Sequence, residues 1–199
     1  MKTGAILKVM DDRPNYTIQE YLYLEEYSNL KHEYFDGQIL AIAGGTPEHA
    51  RMAAAIGFQL QNQLGGRPCA VYSSDARVRI VATGLDTYPD LSIGCGPIEN
   101  DVEDKDAQTN PTALVEITSD TSEKYDRGSK FEHYKLIQSL REYVIVSHRE
   151  RVIDVFRRGE DGAWSLAARG GPGERVALTS IGCELDVDAI YRDPRAVSS

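Results

Sequence analysis

Between Tyr88 and Lys135 two short apolar runs each carry one carboxylate where an apolar residue is expected. Asp90 follows Pro89 directly and opens Leu91–Cys95, and Glu116 sits inside Ala113-Leu114-Val115-Glu116-Ile117. Strand alternation puts Ala113, Val115 and Ile117 on one face and Leu114, Glu116 and Thr118 on the other. The same alternation separates Leu91 and Ile93 from Asp90, Ser92 and Gly94. If the two strands pair, both carboxylates reach one polar face while the branched residues pack opposite. A helical pattern follows, starting at Ser122 or Asp126 and running to Ser139, with Lys130, Tyr134 and Ile137 at i, i+4 and i+7. Lys130 therefore falls on the buried stripe or its edge, where a lysine is costly without an acidic partner. Lys124 is the rival lysine, placed in the Ser/Thr-rich loop before the helix.

The rest of the chain reads as a scaffold for this stretch. Residues 1–16 look like a loose leader and 192–199 like a frayed tail, flanking a single domain over 17–191. Thr17 with Glu20 three residues on is a capping-box pattern that opens a helix over 18–28. His32 to Ala43 reads as a hairpin turned at Asp36-Gly37. Gly44-Gly45 breaks that strand, and Thr46-Pro47-Glu48 starts a second helix that stops at Gly65-Gly66; its apolar positions include Ala50, Ala53, Ala54, Phe58 and Leu60. The glycines before this helix fit a chain turn better than a phosphate cradle, and His49 fits a helix start or a ligand. Cys69–Ser74 and Arg77–Ala82 are further strands. Gly96–Asn110 is a polar, acidic loop of the length that is often functional or mobile. Glu142–Ser147, Arg151–Arg157 and Ala163–Ala168 form a closing antiparallel meander, and Cys183 to Tyr191 a last strand and short helix. The pattern has no repeats and no linker, and implies one α+β domain with a mixed sheet and two main helices.

Bulk properties narrow the function classes. No apolar run approaches the roughly 18 residues of a membrane span, and no signal-peptide core is visible, so a cytoplasmic protein is expected. Three cysteines without CxxC spacing, Cys69, Cys95 and Cys183, argue against a disulfide framework or zinc site and read as small buried hydrophobes. The net charge of −9 opposes a polyanionic partner, although carboxylates that hold a metal account for part of the excess. Two carboxylates with adjacent carbonyls, such as that of Ile117, suit a hard cation such as Mg²⁺ or Mn²⁺. A nearby lysine would orient the attacking water or stabilise the charge that builds on a phosphodiester. A glycosidase built on paired carboxylates would leave Lys130 without a role.

The blocks YLYLEEYSNLKHEYFDGQILAIAGGTPEH, SSDARVRI, YPDLSIGCG and NPTALVEITSDTSEKYDRGSKFEHYKLIQSLREYVIV occur in this order over residues 17–191. In content and order they resemble the Uma-type restriction-endonuclease family of the PD-(D/E)xK nuclease superfamily. The resemblance implies a restriction-endonuclease-like αβββαβ core: a mixed central sheet flanked by helices, with an added N-terminal hairpin and C-terminal antiparallel meander. It implies that Asp90 is the PD aspartate and Glu116 the second acid. The superfamily lysine normally lies two residues after that acid, where this chain has Thr118; in the family it is moved to the following helix, which Lys130 matches. Family members carry a proline where this chain has Asp120. Glu33 matches an acidic position that some superfamily members use at the metal, against a plain strand-surface role.

Asp75 reads as a supporting acid or a turn residue, and Arg77 and Arg127 as phosphate binders or partners of Glu116 and its neighbours. The resulting expectation is an endonuclease-type hydrolase acting on DNA with Mg²⁺ or Mn²⁺, using Asp90, Glu116 and Lys130. The alternative is a noncatalytic nuclease-fold module for dimerisation or binding. Duplex cleavage usually takes two sites, so a homodimer is expected, with the apolar meander residues Val144, Ile145, Val146, Val152, Ile153 and Val155 serving as interface or as internal core.

Overall fold

The computed structural model describes residues 15–42 and 44–195. Most of the expected leader, the far end of the tail and Ala43 lie outside the described residues. Helix α1 (Ile18–Tyr27) begins at the expected capping box: Thr17 Oγ1 accepts from the Glu20 amide at 3.2 Å, and Glu20 Oε2 accepts from the Thr17 amide at 2.7 Å. The hairpin β1 (His32–Phe35) and β2 (Gln38–Ala41) turns through Asp36 and Gly37, both with φ > 0 as this turn demands.

Helix α2 (Pro47–Leu64) is capped by Thr46, but its buried stripe is Met52, Ile56, Leu60 and Leu64. Ala50 and Ala54 face outward and Phe58 is 71% exposed. A helix buries the one stripe that carries its long aliphatic side chains, and here that stripe runs at i, i+4 rather than through the alanines.

Strands β3 (Cys69–Ser73), β4 (Arg77–Ile80), β5 (Leu85–Thr87), β6 (Leu91–Cys95), β7 (Ala107–Gln108) and β8 (Ala113–Ile117) follow. After them come α3 (Glu123–Arg127), α4 (Ser129–Tyr134), β9 (Glu142–Val146), β10 (Ile153–Arg158), β11 (Trp164–Gly170), β12 (Arg175–Leu178), β13 (Cys183–Asp186) and α5 (Val187–Tyr191). The architecture is α+β as expected, but the strands form two large sheets rather than one. One runs β11-β10-β9-β8-β6-β3 and the other β2-β1-β5-β4-β7, with β12 and β13 pairing separately. The three-residue β5, the two-residue β7 and β12 carry too few residues or too little apolar patterning to stand out in the sequence. The meander does not stand apart: β9 joins β8 in parallel and extends the same sheet.

The centre of the six-stranded sheet, β8 and β9, is buried on both faces. On one side Val115, Ile117, Val144 and Val146 pack with α2, β12, β13 and α5. On the other Leu114, Tyr143 and Ile145 pack with Phe131 and Tyr134 of α4 and with Val78, Ile80 and Leu85. The meander residues Val144, Ile145, Val146, Ile153 and Val155 are thus internal core, fully buried within one chain; they cannot serve as a dimer interface. Glu116 correspondingly shares its face with an apolar cluster, not with a polar surface.

Two further expectations are corrected. The helix expected to run to Ser139 is two short helices broken at Gly128, where a Cβ would lie 2.7 Å from the Lys124 carbonyl oxygen, so only glycine allows the approach. And Cys69 and Cys95 form a disulfide, because the register of β3 with β6 places them directly opposite. Strand register brings cysteines together at spacings that no sequence motif records. Cys183 alone is the free, buried thiol. Among the described residues no helix is long and apolar enough to cross a membrane.

Candidate active site

Strands β6 and β8 are antiparallel neighbours with Leu91 opposite Val115, which sets Asp90 beside Glu116. The Ile117 amide donates to Asp90 Oδ2 at 2.7 Å, and the Asp90 amide to Glu116 Oε2 at 3.3 Å. Lys130 is on the buried side of α4 with Phe131 and Tyr134, 6% exposed, while Lys124 stays on the surface. Lys130 Nζ lies 2.9 Å from Glu116 Oε1 and 3.1 Å from Glu33 Oε1. The ammonium thus bridges a carboxylate from each large sheet. Glu33 is held in turn by the hydroxyls of Thr87 and Tyr125, and the Tyr134 hydroxyl donates to Glu116 Oε1 at 2.8 Å. Glu33, His49, Asp90, Glu116, Asp126 and Lys130 all line one cleft of about 1160 Å³.

Burial dominates the electrostatics. It pushes Glu116 up to about 8; Lys130 pulls the other way, and the charges of Asp90 and Asp126 add to the rise. Burial alone would lower the Lys130 ammonium, but Glu116, Glu33 and Asp126 together hold it well above the ordinary lysine value. Burial also raises Asp126. Several carboxylates therefore share one lysine, and the cluster lacks positive charge. His49, reaching in from the first turn of α2, places Nε2 3.1 Å from Asp90 Oδ2 and 3.1 Å from the Ile117 carbonyl oxygen. Its imidazole is raised above the usual value chiefly by the hydrogen bond to Asp90.

The structure brings together Asp90, Glu116, Lys130 and Glu33, and directs the Ile117 carbonyl toward the same place. It leaves out the other three supporting candidates. Asp75 is an exposed partner of Lys31 at 2.6 Å. Arg77 forks onto Asp104 at 2.6 and 2.8 Å, and Arg127 binds Asp154 at 2.9 Å. Asp104 belongs to the acidic loop, whose Asp101 and Glu103 also face Arg79 at 3.4 and 3.3 Å; the loop closes over the arginines of β4. Sequence reasoning missed Asp126, although it stands four residues before Lys130. Thr118, where the superfamily lysine would stand, is buried and binds His148 Nδ1 at 2.8 Å, tying the end of β8 to the loop after β9. Asp120 is exposed at the cleft rim, 2.9 Å from Arg149.

Among the described residues no three His, Cys, Asp or Glu side chains form a group that could hold a metal as they stand. The donors that converge are Asp90 Oδ2 and the Ile117 carbonyl oxygen, with Glu116 adjacent. A set of one or two carboxylates and a carbonyl fits Mg²⁺, which keeps most of its waters.

Residues 18–188 match the model of the Uma2 family, described as "Putative restriction endonuclease". The chain belongs to the Uma2 family. Two curated Synechocystis relatives are uncharacterized proteins: slr1290, 38% identical over 90% of this chain and 93% of its own, and sll1609, 28% identical over 75% and 85%. The Uma2 fold is also that of a solved structure described as a putative nuclease belonging to DUF820 from Anabaena variabilis. That structure aligns with a TM-score of 0.64 at 15% identity, covering 82% of this chain and 91% of the other. The restriction-endonuclease-like fold expected from the sequence is therefore the fold observed.

Proposed function

We propose that this Uma2 protein is a divalent-cation-dependent endonuclease acting on DNA. Asp90, Glu116 and the Ile117 carbonyl would hold the cation. The observation that carries this reading is Lys130: a buried ammonium on the floor of an open cleft, shared by Glu33 and Glu116 beside Asp90. The cation, when bound, supplies polarisation of the phosphodiester and a more acidic bound water. Lys130 contributes a fixed positive charge where negative charge develops on the phosphorus oxygens. Glu33, clamped by Thr87 and Tyr125, would keep the Lys130 ammonium in place beside Glu116. Tyr134 fixes the carboxylate orientation of Glu116 from the apolar side.

The test is cleavage of supercoiled plasmid and of single- and double-stranded oligonucleotides with Mn²⁺ or Mg²⁺, against an EDTA control. Cation-dependent cleavage lost in Lys130→Met supports the reading. Cation binding without cleavage of any DNA removes the substrate and leaves the site, in favour of a noncatalytic module. Duplex cleavage also calls for a homodimer, which a light-scattering mass near twice that of the chain would support.

A further inference from the structure

Resting on the nuclease reading above, we propose that His49 is a further protein donor to the cation held by Asp90, Glu116 and the Ile117 carbonyl, and that it biases the site toward Mn²⁺ over Mg²⁺. One nitrogen, His49 Nε2, lies 3.1 Å from both of those oxygens, which come from different strands. Neighbouring donors around an octahedral cation with bonds of roughly 2.1 Å stand roughly 3 Å apart. The spacing seen here is therefore already that of an edge shared by two ligands of one ion. In the cation-free chain the same spacing is met by Nε2 donating a hydrogen bond to the two oxygens.

The position of the ring is built rather than incidental. His49 lies in the first turn of α2, where its amide is capped by Thr46 at 3.2 Å. A Cβ on Gly45 would lie 2.8 Å from His49 Nδ1, so the backbone of the preceding turn closes on the ring and leaves it room only because residue 45 is glycine. With Nε2 given to a cation, the ring carries its hydrogen on Nδ1, on the Gly45 side. An imidazole among oxygen donors favours the later first-row metals over Mg²⁺, whose preferred donors are oxygens. The mechanism above gives His49 no other task.

The experiment titrates Mn²⁺ and Mg²⁺ separately into wild type, His49→Gln, Gly45→Ala and Asp90→Asn, each checked for folding by circular dichroism. Pulsed electron paramagnetic resonance of the Mn²⁺ complex, with ¹⁵N-labelled histidine, reads nitrogen ligation directly. The expected result is a histidine-nitrogen coupling in wild type that vanishes in His49→Gln. Mn²⁺ affinity should fall roughly tenfold or more there, Mg²⁺ affinity should fall less, and Gly45→Ala should follow the same direction. Affinity lost in Asp90→Asn but kept in His49→Gln, with no nitrogen coupling, overturns the role of His49 alone. Tighter Mn²⁺ binding in His49→Gln also overturns it, since the ring would then be a plug. Affinity kept in both variants overturns the cation site and the inference with it.

Discussion

Two groups of buried charge lie back to back, and neighbouring residues of the same strands feed both. In β1, His32 pairs Glu25 at 2.7 Å while Glu33 pairs Lys130 at 3.1 Å. In β5, Asp86 binds Arg79 while the Thr87 hydroxyl binds Glu33. Alternation sends adjacent side chains to opposite faces, so one pair of strands serves two clusters with different fates. Both are rich in acid, and acid surplus therefore does not mark a functional site. What separates them is access and the kind of cation. Around β4, two arginines take Glu25, Asp86, Asp101, Glu103 and Asp104, and the acidic loop closes over them. Guanidinium forks fix geometry and keep their charge, which suits a seal. Around α4, one lysine serves carboxylates that open on a cleft, where a cation and a substrate have room to enter.

The comparison breaks if the two clusters respond alike to mutation. The largest expected effect is Arg77→Met, which leaves Glu25 and Asp104 buried without their guanidinium. Urea unfolding should show a loss of about 3–5 kcal/mol, with Mn²⁺ binding intact at low temperature. Next is Lys130→Met, expected to lower Mn²⁺-dependent cleavage by about 10²–10³. Its stability cost should be smaller than that of Arg77→Met, because Glu116, already raised to about 8, can take a proton. Equal loss of stability in both variants would put the Lys130 cluster among the structural ones.

A third contrast is in the pH dependence of Asp86→Asn. Burial pushes Asp86 up to about 7 from 3.8, with Arg79 pulling it only part of the way back. The folded chain then holds a proton that the unfolded chain has lost, so this contribution is full below 3.8 and is lost as pH rises through about 7. Wild-type stability relative to Asp86→Asn should fall between about pH 4 and pH 8. A constant difference would mean that Arg79 keeps Asp86 ionised throughout.

The cleft half of this comparison was legible in the sequence because its signals are local. A period of two places Asp90 and Glu116, and a period near 3.6 turns Lys130 inward. The break at Gly128 was not legible, since the apolar pattern continues across it and the cause is a backbone approach. Asp126 stands four residues before Lys130, a spacing that puts both on one helix face, but the sequence pattern marks it only as a possible helix start. The sealing half was illegible for a different reason: Asp104 meets Arg77 from 27 residues away, and only the parallel pairing of β7 with β4 brings them together. The same holds for Cys69 and Cys95, joined by register across 26 residues. Long-range pairing decided each of these, and the length and polarity of the acidic loop do not reveal that its acids meet Arg77 and Arg79.

The most direct test of the central claim is calorimetric titration of Mn²⁺ into wild type and Glu116→Ala. The account predicts a single binding event in wild type that is abolished in a Glu116→Ala protein that remains folded. No heat of binding at millimolar Mn²⁺ in wild type, or equal binding in the variant, would contradict it.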